Sequence, residues 1–424
     1  MEDYKGIEYF RRKLALKRSR VLTRYKYYEM KNLTEDFMTS VIPPEFKNFG
    51  VSLGWCGKAV DSIADRLVFE GFKNDNFNLN EIYNMNNRDI LTDSATLSAL
   101  ISSCSFIYIS PDEQGYPRLQ NIDGGNATGE LDPITYLLKE GYAVLSRDEY
   151  GTPTLEAHFI KGYTLYYEKG RLVDSRTNNA PYPLLVPIIN RPDAVRPFGH
   201  SQISRACMSI TQSALRTLKR SEIASEFYSF PQKYLLGTED NAEWEGKKAT
   251  MAAFLNITEG ENGSKPTVGQ FAQQSMTPFV EQMRMYASQF SGETGLTLDD
   301  LGFPSDNPSS AEAIKSAHEN LRLKSRKAQR NFGTGYLNAG YLAACLRDDF
   351  PYSREAFYLT MPMWKPLFEP DMATFSTLGD GLIKIEQAVP GTITKELVKE
   401  ITGLDIDVED VRTIDTLEES GAFD

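Results

Sequence analysis

The sequence reads as an α+β chain, and three observations carry that reading. Between about 106 and 190, short apolar and aromatic runs alternate with Gly- and Pro-containing turns, the rhythm of successive short strands. On both sides of that stretch apolar residues recur at helical spacing, most clearly over 201–228, 278–290 and 309–347. Strands gathered in one block and helices in others are the pattern of α+β architecture. Of the 424 residues 41% are hydrophobic and 11% aromatic, enough to bury a real core and to exclude a mostly disordered chain.

The first thirty residues mix Arg11, Arg12, Lys13, Lys17, Arg18, Arg20, Arg24 and Lys26 with Tyr9, Phe10, Leu14, Leu16, Tyr25, Tyr27 and Tyr28. Such mixing can touch phosphates; a solvated helix that packs its aromatics inward is the favoured reading. After Pro43-Pro44 a helix is expected near 54–69, with Val60, Ile63, Ala64, Leu67 and Val68 on one stripe, and another near 79–103. Phe106-Ile107-Tyr108-Ile109 then reads as a strand before the turn at 111–115. Turns at Asp123-Gly124-Gly125, Gly151-Thr152-Pro153 and Glu168-Lys169-Gly170 separate the strands that follow. Pro181–Pro197, with its five prolines, reads as an extended linker.

Ser201 is placed to cap a long helix reaching about Tyr228. A β-α-β-like module follows: a strand at Tyr234-Leu235-Leu236, a helix over 241–254, and Leu255-Asn256-Ile257 leading into a loop. Helix 278–290 leads into Ser291–Pro308, a long stretch rich in Gly and Pro, mobile on composition, and such loops tend to be functional. Ser309 three residues before Glu312 is a capping box opening a helix to about Arg347. Gly333, Gly335 and Gly340 in its second half mark either a bend or a close backbone approach. An extended stretch at 361–366, helices over 371–388 and 393–402, and an acidic, frayed tail from Asp405 to Asp424 complete the chain.

Chemistry is conspicuous by its gaps. Lys and Arg number 46 against 58 Asp and Glu, a net charge of −12, which excludes a surface that grips nucleic acid all over. His158, His200 and His318 stand apart, without a second ligand at metal spacing, and read as structural. Cys56, Cys104, Cys207 and Cys345 are too scattered for a disulfide framework or a zinc site and read as small buried residues in a reducing compartment. Gly57-Lys58 is followed by Ala59 and preceded by Ser52 where a phosphate loop needs glycine. The cluster Asp405, Asp407, Glu409 and Asp410 lacks the turn glycine of a calcium loop and reads as a solvated turn. No cofactor, metal site, secretory leader or membrane span is expected.

Three blocks carry a family resemblance. Pro187-Ile188-Ile189-Asn190-Arg191-Pro192 leads into Gly199-His200-Ser201, the long helix and Phe230-Pro231-Gln232-Lys233-Tyr234. A helix from Phe279 runs through Thr294-Gly295-Leu296-Thr297-Leu298 to Ser310-Ala311-Glu312. Trp364-Lys365-Pro366-Leu367-Phe368 precedes the last helices. In this order the chain resembles the portal, or head–tail connector, proteins of tailed bacteriophages. The resemblance implies a portal fold: an α/β wing over 1–199, a stem helix at 200–228, a small β-α-β clip at 229–275 and a second stem helix at 276–291. It further implies a tunnel loop at 292–308, a return of the wing over 309–370 with the long helix, and a short helical crown with acidic tail at 371–424.

The resemblance also implies function: a ring of about twelve subunits at a capsid vertex, present in the virion and assembled in the host cytoplasm. Double-stranded DNA would pass through it. The terminase large subunit would dock on it as motor, and neck or adaptor, major capsid and scaffolding proteins would be further partners. Thr294, Gly295, Leu296, Thr297, Leu298 and Asn307 would face DNA; Tyr234, Trp244, Lys247 and Lys248 would mark the docking clip. A conduit should avoid Lys and Arg contacts with phosphate, and 292–308 contains none. The rivals are a carboxylate-dependent hydrolase or nuclease whose acids meet only on folding, and an oligomeric helical adaptor.

Overall fold

The fold was read from a computed structural model, which describes residues 4–32, 50–229, 233–236, 267–270, 275–304, 316–367, 372–391, 394 and 398. The basic N-terminal stretch forms helix α1 (Ile7–Tyr28). Phe10, Leu14, Val21 and Tyr27 are buried while Tyr9 and Leu16 stay exposed, so its aromatics pack inward only in part.

Helix α2 (Trp55–Ala64) is shorter than its apolar stripe suggests. The chain leaves it for strand β1 (Phe69–Lys73), which pairs antiparallel with Met361–Trp364. Gly71, at φ +124°, admits a bulge there, and Phe69 packs against Tyr83, Tyr336 and Trp364. The single helix expected over 79–103 is two, α3 (Leu79–Met85) and α4 (Arg88–Ser102). Asn87 takes the left-handed conformation, and the Asn86 amide turns to strand-like work, donating to the Pro117 carbonyl and accepting from Leu119 N–H.

Strands β2 (Cys104–Pro111), β3 (Pro117–Asp123), β4 (Ala127–Leu131), β5 (Leu138–Arg147), β6 (Pro153–Ile160), β7 (Tyr163–Glu168) and β8 (Arg171–Thr177) follow the expected turns. The Pro-rich stretch is not only linker, for Leu185–Ile189 is a fully buried strand, β9. It lies at the edge of the antiparallel sheet β3-β2-β9, where Pro187 has no inner ladder bond to spoil. A second antiparallel sheet runs β4-β5-β6-β7-β8.

Helix α5 (Arg205–Ser229) starts later than expected. Ser201 donates to the Ile101 carbonyl and accepts from Ile203 N–H, while Ser204 accepts from Cys207 N–H and is the cap. Strands β10 (Lys233–Leu236) and β11 (Thr267–Gln270) pair antiparallel; the helix expected over 241–254 lies outside the described residues. Helix α6 (Thr277–Thr294) and helix α7 (Glu319–Arg347) follow; α7 opens after a turn at His318, later than expected, and the Ser309–Glu312 capping box lies outside the described residues.

In α7 every residue from Phe332 to Cys345 except Thr334 is buried. Its glycines are seats within the subunit: a Cβ on Gly335 would come 2.7 Å from Ile188 Cδ1 and 3.3 Å from the Pro187 carbonyl oxygen, and one on Gly333 2.7 Å from Pro362. Close approach is therefore the role of Gly333 and Gly335, to the chain's own β12 (Met361–Trp364) and β9, while Gly340 makes room for Leu79 of α3. Tyr336 ties α7 to α4, its hydroxyl 2.7 Å from Thr96 Oγ1 and 2.8 Å from the Thr92 carbonyl oxygen. Helix α8 (Met372–Ala388) ends the continuous description; of the helix expected over 393–402 only Thr394 and Val398 are described, joined by one helical N–H···O=C bond, and the acidic tail lies outside. All four cysteines are buried and unbridged, and burial pushes the Cys56 thiol up to about 12.

Candidate functional site

Helices α5 and α6 form an antiparallel pair. Ser204 donates to Glu293 Oε1 at 2.7 Å near one end, and Thr217 donates to Gln282 Oε1 at 3.0 Å farther along. At 1.5 Å per residue, α5 is a rod roughly 37 Å long. Its base is held by polar bonds from buried groups: Gln212 donates to the Tyr27 hydroxyl at 2.9 Å, and Cys56 Sγ lies 3.3 Å from Thr211 Oγ1. Helix α6 buries only Ala287, Phe290 and Thr294, with Phe290 against Trp55. Val280, at 58% exposed, and Met285, at 46%, point away from the subunit's core.

The start of the stretch between α6 and α7 is built, where its composition suggests mobility. Gly292, Glu293 and Thr294 continue α6, and Gly295 closes it in the left-handed conformation with its N–H on the Ser291 carbonyl. Lys324 Nζ donates to the carbonyls of Glu293 and Thr294, at 3.0 and 2.6 Å, satisfying groups a helix end leaves open. Burial and the nearby Arg191 charge hold the Lys324 pKa below its ordinary value.

A second turn follows. Thr297 N–H and Oγ1 both donate to Asp300 Oδ2, Asp300 N–H returns a bond to Thr297 Oγ1, and a single 3₁₀ turn spans Asp299–Leu301. Gly302, at φ +87°, ends it. Glycines that read as flexible hinges here occupy two positive-φ stops.

The expected DNA-facing residues thus divide. Thr294 and Leu296 are buried, 1% and 3% exposed, and belong to the subunit's packing, so their side chains face no channel in this fold. Gly295 caps α6, Thr297 and Leu298 are half-buried in the 3₁₀ turn, and Asn307 lies outside the described residues. Of the expected docking residues, Tyr234 sits in β10 opposite Gly269, while Trp244, Lys247 and Lys248 lie outside the described residues. Ser204 and Lys324, which fasten the base of the helix pair, escape sequence reasoning; the Thr297-x-x-Asp300 spacing is the signal that could have found the second turn.

Buried carboxylates do occur elsewhere. Glu140 accepts from the N–H groups of Lys5 and Gly6 and pairs with His158 Nε2 at 2.7 Å. Glu156 accepts from Arg11 and from the Tyr142 hydroxyl. Burial raises the Glu156 pKa, but the Arg11 and Tyr142 hydrogen bonds outweigh it and hold the carboxyl below its ordinary value. Both acids fasten α1 to the five-stranded sheet, and no group of three or more possible metal ligands occurs among the described residues.

No family model matches the chain. The portal protein of Mycobacterium phage L5 is 24% identical over 397 residues, spanning 87% of this chain and 79% of its own. The portal protein of Mycobacterium phage D29 is 25% identical over 409 residues, spanning 90% of this chain and 81% of its own. The chain is a relative of the phage portal proteins. Each likeness spans close to nine-tenths of this chain, as a resemblance confined to one motif would not, and together they support a portal function. Among solved structures, a chain in the virion of the native gene transfer agent particle is similar at a TM-score of 0.48 with 12% identity, covering 82% of this chain and 89% of that one. A chain in the neck of the native particle, computed with C12 symmetry, is similar at a TM-score of 0.45 with 13% identity, covering 83% and 91%.

Proposed function

We propose that this chain is a portal subunit without catalytic activity. About twelve copies close into a ring at the capsid vertex, double-stranded DNA passes through the centre during packaging and ejection, and the terminase motor and neck proteins dock on the clip that carries β10 and β11. The observation that carries the reading is the likeness to two phage portal proteins along nearly nine-tenths of the chain.

Two physical features support it. The α5–α6 rod stands on a base fixed by Gln212, Thr211 and Ser204, yet α6 keeps Val280 and Met285 exposed, as a helix does when its other face is covered by the next copy. The segment 292–308 contains Glu293, Asp299, Asp300 and Asp306 and no Lys or Arg, so phosphates meet no cation there that would slow their passage. With Thr294 and Leu296 packed inside the subunit, the channel contact falls to the later part of that segment, which includes Asn307.

Native mass spectrometry of the purified full chain, with negative-stain images of the same sample, tests the reading. The expected result is closed rings of about twelve copies with a central hole wide enough for a DNA duplex. A monomer with metal-dependent hydrolytic activity would overturn it.

A further inference from the structure

A concentration of positive charge lies in a cleft of about 910 Å³ between α1, the 195–200 turn and the start of α5. Lys13, Lys17, Arg20, Arg24, Arg196 and Arg205 all line it, against only Glu130 and Glu293 on the acidic side. Part of this charge is answered locally: Lys13 reaches Glu130 at 3.6 Å, and Arg24 donates to the Ser102 carbonyl. Arg20 and Arg205 are exposed and have no acidic partner among the described residues. Burial, then the charges of Arg196 and Arg20, hold the Arg24 pKa below its ordinary value, so the cluster repels itself. In a chain of net charge −12 this cleft is a local exception that asks for an anionic occupant.

The walls narrow the choice. Phe198 lies under Lys17 Nζ at 5.1 Å and Lys13 Nζ at 5.6 Å, Val195 is 88% exposed, and Met208 adds a further apolar surface. A nucleic-acid backbone has no side chains to set against these, and Glu130 and Glu293 would oppose its phosphates. An acidic peptide with interspersed apolar residues suits all of them. The chain carries such a peptide: from Asp405 to Asp424 there are eight carboxylates and one arginine, Arg412, so that seven of the twelve net negative charges sit in those last twenty residues. Ile406, Val408, Val411, Ile414, Leu417 and Phe423 are spaced among them. The seventeen positions from Ala388, where α8 ends, to Asp405 can span up to roughly 55 Å when extended.

We propose that the basic cleft is the docking site of the chain's own acidic end, residues 405–424, held by Arg20, Arg205 and Lys17 through carboxylates and by Phe198 and Val195 through apolar contacts. The docking does not depend on ring formation.

Zero-length carbodiimide cross-linking of the full chain, mapped by mass spectrometry, tests it, because the reagent joins a lysine amine to a carboxylate only in direct contact. Lys17 is expected to join to acids within 405–424. The yield should fall roughly ten-fold in the Arg20→Glu, Arg205→Glu variant and in molar salt, where exposed charges are screened. Circular dichroism of that variant should match the parent, since both arginines are exposed. Lys17 joined only to Glu130 or Glu293, or a tail joined elsewhere, overturns the inference. So does a short DNA duplex that binds the full chain through Arg20 and Arg205 while the tail stays unlinked, which would assign the cleft to nucleic acid. Subunit number in the same sample separates the two readings: closed rings without the cross-link overturn this inference alone, and cross-linked monomers overturn the ring alone.

Discussion

Helices α7 and α6 have similar apolar content to the eye but opposite fates. From Phe332 to Cys345, α7 is enclosed by its own chain, with glycines where β9 and β12 press closest and Tyr336 bonded twice to α4. Helix α6 buries three side chains near its end and leaves Val280 and Met285 to solvent. One helix is finished by folding; the other keeps an outer face that the proposed ring would cover. The difference teaches that burial separates residues that hold the fold together from residues left available for contact with a second copy.

The comparison breaks first at α7. Phe332→Ala removes a fully buried ring and should cost about 4 kcal/mol, read as the urea unfolding midpoint. Arg11→Met, which leaves the buried Glu156 carboxylate without its guanidinium, should cost about 3 kcal/mol at neutral pH. The sign with pH follows from the depressed Glu156 pKa: the stabilisation is present above the ordinary glutamate value near ~4.3 and fades as pH falls through the lower folded value. The parent and Arg11→Met midpoints should therefore converge in acid, and a gap that stays constant would refute the charge account. Gly335→Val should cost about 2 kcal/mol by crowding Ile188 and the Pro187 carbonyl, again in the midpoint. Lys324→Met uncovers the last carbonyls of α6 and should cost about 1 kcal/mol. Smallest of all, Val280→Ser should change unfolding of the isolated subunit by less than about 0.5 kcal/mol, while lowering the concentration stability of any ring.

Much of this fold is legible in the sequence because it follows local rules. The turns at 111–115, 123–125 and 168–170 fix the strand order, and helical spacing gives α5, α6 and the end of α7 within a few residues, while α7 begins at Glu319 and not near Ser309. The misreadings share a cause: a tertiary partner decides the outcome. Asn86 leaves a helical pattern because strand β3 offers a carbonyl and an N–H. Leu185–Ile189 is a strand despite Pro187 because β2 lies alongside. Lys324 caps α6 from the neighbouring helix, a bond that no spacing within 276–308 encodes. In the candidate site, composition alone cannot distinguish glycines that hinge from glycines that stop a turn; Gly295 and Gly302 stop turns, and Thr294 and Leu296 are drawn inside with them.

The central claim is that the outer face of α6 is covered by a second copy. Sedimentation velocity of the full chain beside its Val280→Asp, Met285→Asp variant tests it most directly. The account predicts a fast-sedimenting ring for the parent and a folded single subunit for the variant, with unchanged circular dichroism. A variant that sediments as the same ring, or a parent that never assembles, would contradict it.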